Sequence, residues 1–206
     1  EKEPGAGDMR FYFAEVLWMT ERWKEAAEQY TKFVESNPKH KDAKDAAYAA
    51  VLAWQNALNI TDSRPAQKDE DKKNDKLELP AAQKKMIEAY DTYIKYVPDS
   101  PDLVKIKYRK ARIYYDYNHF PDAIKLFQDI IDKHPDDELT VYSANLLLDS
   151  LNLTGRTKDI VVWVDKFMHM PNLMKDPEFQ KQMVEIKTDS YVMEAKRFEA
   201  DKNYKE

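Results

Sequence analysis

Residues 110–135 read KARIYYDYNHFPDAIKLFQDIIDKHP, and residues 13–38 read FAEVLWMTERWKEAAEQYTKFVESNP. Aligned on the small residues Ala111 and Ala14, each stretch places an aromatic nine residues on (Phe120, Trp23). An alanine follows at twelve (Ala123, Ala26) and a proline at twenty-four (Pro135, Pro38). Large apolar side chains fill the helical spacing between these marks: Tyr114, Phe127 and Ile130 in one copy, Leu17, Tyr30 and Phe33 in the other. A 3.6-residue period broken once, just before the aromatic, describes two helices joined by a tight turn. The alanines leave room for paired helices to approach closely.

Working outward, the same frame recurs. A second copy uses Ala43, Ala46, Ala47, Ala50, Ala53, Trp54 and Ala57 in its first helix, then Tyr90, Tyr93, Ile94 and Pro98. Pro98 to Pro135 spans 37 residues and Pro38 to Pro98 spans 60, an excess of 23. Thr61–Leu79 accounts for most of that excess with mixed charges and no apolar period, and is expected to be a mobile insertion within the repeat. A fourth copy runs through Ala144, Leu147, Leu148 and Leu151, turns at Thr154-Gly155-Arg156, and continues through Ile160, Val164, Phe167 and Pro171. Ile160 stands there where the frame expects alanine. From Glu178 to Ala200 the period resumes through Phe179, Met183, Ile186, Tyr191, Ala195 and Phe198. Asp201–Glu206 reads as the next inter-helix turn, so a further helix is expected beyond it. The repeats are placed at 7–40, 41–98 with the insertion at 61–79, 99–136, 137–172 and a truncated 176–206. They form a single array over 1–206.

Composition narrows the chemistry. The 206 residues carry 33 basic and 38 acidic side chains, a net charge of -5, with no basic stripe to attract nucleic acid. Cysteine is absent, which excludes disulfides, thiol catalysis and cysteine metal sites. The three glycines, Gly5, Gly7 and Gly155, cannot build a phosphate-cradling loop. No apolar run is long enough to cross a membrane, so no direct insertion is expected. His40, His119, His134 and His169 lack metal-ligand spacing and are expected at the surface. Asp69-Glu70-Asp71 lies among lysines without spaced ligands or glycine, and reads as a solvated charge run. Trp23, Tyr30, Tyr90, Tyr114, Phe120 and Phe127 are core by register. No nucleophile elbow, metal motif or cofactor motif appears, and none is expected.

The frame of small residue, aromatic, alanine, aromatic and proline resembles the tetratricopeptide repeat (TPR). The resemblance covers the chain apart from the charged insertion. It implies an all-α superhelical solenoid of about four helix–turn–helix repeats plus the first helix of a fifth. The 37-residue period and joints such as Pro135-Asp136-Asp137-Glu138 resemble a bacterial envelope branch that includes BamD and the Tol–Pal-associated proteins. In TPR stacks the first helix of each pair lines a concave surface. Carried over residue by residue, this implies Phe11, Glu15, Trp18 and Met19 in the first repeat, and Tyr48 with Trp54 or Gln55 in the second. The third supplies Lys105, Tyr108, Arg112 and Tyr115, and the fourth Tyr142, Asn145, Asp149 and Asn152. Tyr, Trp and Arg are frequent binding anchors, whereas the plain alternative for each is an ordinary wet helix face. Lys105 and Arg109 match half of the TPR carboxylate clamp, but Phe11 and Glu15 stand where Lys and Asn belong, which argues against that ligand.

The resemblance thus implies a non-catalytic scaffold, without cofactor, holding a protein or peptide partner on its concave face. A bacterial cell-envelope, secretion or motility assembly in the periplasm or at the outer membrane is the expected setting, the alternative being cytoplasmic. The rival reading is a helical regulatory or substrate-docking arm of a larger enzyme.

Overall fold

The computed structural model describes residues 5–59 and 74–203, the side chains of 190 and 193–203 excepted. Among these residues the regular structure is helical: α1 (Ala6–Met19), α2 (Trp23–Ser36), α3 (Ala43–Leu58), α4 (Ala81–Tyr96), α5 (Leu103–Asp116), α6 (Phe120–Lys133), α7 (Leu139–Leu153), α8 (Thr157–Met168) and α9 (Pro177–Asn203), with a 3-10 turn at Leu173–Lys175.

Three of the turns inside a pair are the same device. Glu21, Asn118 and Gly155 stand two residues before α2, α6 and α8, and all take the left-handed conformation, with φ of 57°, 59° and 69°. The next residue then reaches back five: Arg22 N–H to the Leu17 carbonyl (2.9 Å), His119 to Tyr114 (2.8 Å) and Arg156 to Leu151 (2.8 Å). This closure satisfies carbonyls that a helix C-terminus leaves open, and it needs one residue able to take positive φ.

The joints between pairs repeat as well. Helices α2, α4 and α6 end two residues before Pro38, Pro98 and Pro135, because the residue preceding a proline is barred from helical angles. Each joint then carries a polar side chain that accepts the N–H two residues on. His40 Nδ1 accepts from Asp42 (3.2 Å), Ser100 Oγ from Asp102 (3.2 Å) and Asp137 Oδ1 from Leu139 (2.8 Å). Ahead of α9, Asp176 Oδ1 accepts from Glu178 (2.9 Å), with Pro177 opening the helix.

The chain divides into two compact units, 1–123 and 124–206. In the first, α1 packs on α2, α2 on α3, α3 on α4 and α4 on α5. Its core joins Leu17, Tyr30, Phe33, Tyr90 and Tyr93 to the alanine face of α3 (Ala46, Ala47, Ala50, Ala53), which lets neighbouring helices approach. In the second unit α7 packs on α8 and α8 on α9, around Leu147, Leu151, Val164, Phe167, Phe179 and Met183, all buried. Lys166 Nζ ties α8 to Asp132 of α6 at 2.5 Å, and Lys187 Nζ ties α9 to Asp165 of α8 at 2.7 Å. Of the aromatics assigned to the core, Tyr30, Tyr90, Phe120 and Phe127 are buried, while Trp23 and Tyr114 are half-buried. Ile160 is half-buried where Ala26 and Ala123 are fully buried, consistent with a side chain too large for that position.

Three expectations need correction or restriction. Most of the charged insertion lies outside the described residues, Asp69-Glu70-Asp71 included, but its last part is pinned. Leu77 N–H donates to the Tyr117 carbonyl (3.0 Å), Asn118 Nδ2 to the Asp75 carbonyl (2.7 Å), and the His119 Nε2 lies 2.8 Å from the Leu77 carbonyl. His119 is accordingly buried, not a surface histidine. Finally, Asp201, Lys202 and Asn203 continue α9 instead of forming a turn. Nothing between Pro177 and Asn203 stops the helix, since the run holds neither glycine nor a second proline. Tyr204, the turn aromatic of that reading, lies outside the described residues.

Candidate partner-binding site

Within the first unit a cleft of about 360 Å³ opens where side chains of α1, α2, α3, α4 and the joint before α5 converge. Helix α1 contributes Glu15 and Trp18, three apart and so on one face. Helix α3 contributes Lys44, Asp45, Tyr48, Ala49 and Leu52, again one face, since its opposite side is the buried alanine stripe. Tyr30 and Tyr93 form the floor, and Ser100, Pro101 and Asp102 close one end.

Each wall is held by the core behind it. The Trp18 ring sits edge-on to Trp23 at 4.9 Å, and the Tyr48 ring edge-on to Tyr93 at 6.2 Å. The Tyr30 hydroxyl donates to Glu15 Oε1 at 2.5 Å. Burial, then that hydrogen bond, push the Tyr30 hydroxyl well above its usual pKa, so it stays a donor. Tyr93 Oη and Ser100 Oγ lie 2.5 Å apart. Burial raises the Tyr93 pKa too, the Ser100 hydrogen bond opposes the rise, and the nearby Asp102, Tyr48 and Asp45 add to it. Asp102 and Asp45, on different elements, therefore bear on the same hydroxyl. Rigid aromatic walls with a few fixed polar groups are the usual make-up of a binding pocket.

The structure sorts the residues singled out by sequence. Glu15, Trp18 and Tyr48 line the cleft together. Phe11 does not; its ring packs on Tyr30 (6.2 Å) and Phe33 (5.4 Å). Trp54 is buried. On α5, Lys105 is exposed and Tyr108 half-buried, but Tyr115 is a core residue, 8% exposed with its ring against Phe120 at 5.9 Å. Its register position borders the α5–α6 turn, and Phe120 closes over it. Arg112 is not an open fork: Nη2 lies 3.5 Å from Asp116 Oδ1, and Nε is buried with no hydrogen-bond partner among the described residues. Burial disfavours its charge, but the Tyr108 hydroxyl and Asp116 outweigh this and raise its pKa. In the second unit Asn145 and Asp149 are half-buried and Tyr142 and Asn152 exposed along one face of α7. Lys44, Asp45, Leu52, Tyr93, Ser100 and Asp102 escaped the sequence reading. Stepping from Tyr48 by three and four along α3 finds Asp45 and Leu52 at once.

Among the described residues, one group of metal-ligating types gathers: Asp8, His40 and Asp42, all half-buried, with donor atoms within 4.8 Å. His40 Nδ1 already accepts the Asp42 N–H, and Nε2 lies 3.2 Å from Asp8 Oδ1. The ring thus links α1 to the joint before α3, which accounts for it without an ion.

Residues 107–137 match the family model described as Tetratricopeptide repeat. The match runs from the middle of α5 through α6 to Asp137, the stretch whose frame recurs along the chain. It supports a TPR protein of the all-α solenoid class, a fold that generally mediates protein–protein interaction and is typically non-catalytic. No helix among the described residues is long and apolar enough to cross a membrane. No curated protein matches the chain.

Proposed function

We propose that the chain is a non-catalytic scaffold that holds a protein or peptide partner in the α1–α3 cleft, as part of a bacterial cell-envelope assembly. The observation that carries the binding site is the convergence of Trp18 and Tyr48, from two different helices, on one cleft with a rigid tyrosine floor. Anchored aromatics contribute contact area at little entropic cost, which is why they dominate binding hot spots. The envelope setting rests on the 37-residue period and the acidic joint after Pro135.

The test is retention of a partner from envelope extracts of the native host by the full chain and by Trp18→Ala/Tyr48→Ala. Loss of a specific band in the double variant, with unchanged circular dichroism, supports the cleft. Equal retention by both proteins contradicts it, and partners found only in cytoplasmic extracts contradict the envelope setting.

A further inference from the structure

The cleft is not neutral. Of its lining residues, three carry carboxylates (Glu15, Asp45, Asp102) and one an ammonium (Lys44), so negative charge exceeds positive by two. None of the three carboxylates pairs with a cation among the described residues. Glu15 is fixed by the Tyr30 hydroxyl, which leaves its second oxygen unused by that bond. Asp45 and Asp102 come from the first turn of α3 and the residue before α5, so they flank the Tyr48–Tyr93 pair from two elements. The carboxylates thus stand around aromatic faces: Trp18 and Tyr48 at the walls, both half-buried.

We infer that the cleft receives an arginine side chain from the partner, presented in an extended or helical segment. This rests on the scaffold reading and specifies its ligand. A guanidinium stacks on an aromatic face and simultaneously offers planar N–H pairs to carboxylates at its edge. Carboxylates around a stacking platform supply that combination, and an acidic ligand meets repulsion there instead. Leu52 and Ala49 complete an apolar strip that covers the methylene stem. The clamp chemistry, two basic residues gripping a carboxylate, is the reverse of this arrangement.

The experiment uses the full chain and two pools of short fluorescein-labelled peptides, identical except for a fixed central arginine or a fixed central glutamate, read by fluorescence anisotropy. The arginine pool should bind roughly tenfold or more tightly than the glutamate pool, and added salt should weaken it. Asp45→Asn/Asp102→Asn should abolish the preference while leaving the melting temperature close to wild type, since neither carboxylate is engaged by a cation among the described residues. Equal binding of the two pools by wild type overturns the inference, whatever the variant does. So does a preference that survives in Asp45→Asn/Asp102→Asn. Partner retention that depends on Trp18 and Tyr48 but not on Asp45 and Asp102 overturns the arginine and leaves the scaffold reading standing. Retention indifferent to all four removes both.

Discussion

At the scale of single residues, the turns set the terms. Gly155 was visible in the sequence as a break between helices, because glycine advertises positive φ. Its counterparts Glu21 and Asn118 were harder to see, since asparagine is only the second choice for positive φ and glutamate carries no such signal, yet all three adopt the same conformation. A Cβ added at Gly155 meets nothing within 4 Å, so Gly155→Ala costs backbone strain alone, about 1 kcal/mol. Glu21→Gly should move the other way by somewhat less, and urea midpoints of the two variants should shift in opposite directions. Tyr30 supplies a pH-dependent case. Its folded pKa is raised while the unfolded tyrosine ionises near 10. The contribution of its hydroxyl is complete below about pH 10 and is lost as pH climbs toward the folded value. Tyr30→Phe should therefore be less stable than wild type near neutrality, and the gap should narrow above about pH 10 in urea titrations.

At the scale of elements, helix existence and pairing could be read because a 3.6 period and small-residue spacing are local properties. What the period could not supply was the fate of segments lacking one. The end of the charged insertion looked free from its composition, but Asp75 and Leu77 are held through their backbone carbonyls, which composition does not report. Excising 61–73 should change the melting temperature by no more than a few degrees, since loop closure alters by only about 1 kcal/mol. Excision through Leu79 should cost more, because it strips partners from buried Asn118 and His119. The pair Ala123→Leu and Ala82→Leu tests the repeat register. Ala123 is fully buried and Ala82 only half so, and overpacking at Ala123 should cost roughly 1–3 kcal/mol while Ala82→Leu stays near neutral. Equal thermal shifts would place the helix contacts elsewhere. Likewise α9 ran on past its expected end because strong helix formers conceal where a repeat would have turned.

At the scale of the whole molecule, the family's inward positions identified Glu15, Trp18 and Tyr48 but also drew in Phe11 and Tyr115, which the core claims. An inward register position and an accessible side chain coincide only where no neighbouring element closes over it, and that is a tertiary fact. Carboxylates at helix starts, Asp45 and Asp102, read locally as dipole partners; only the fold turns them toward one cleft. The central claim is the location of partner binding. It is tested most directly by hydrogen–deuterium exchange of the full chain, alone and saturated with the partner retained by wild type. Protection is predicted in peptides spanning Glu15–Trp18, Lys44–Leu52 and Ser100–Asp102, with none along α7. Protection confined to α7, or to the exposed face of α1 that carries Met9, Tyr12, Phe13 and Val16, would contradict the account.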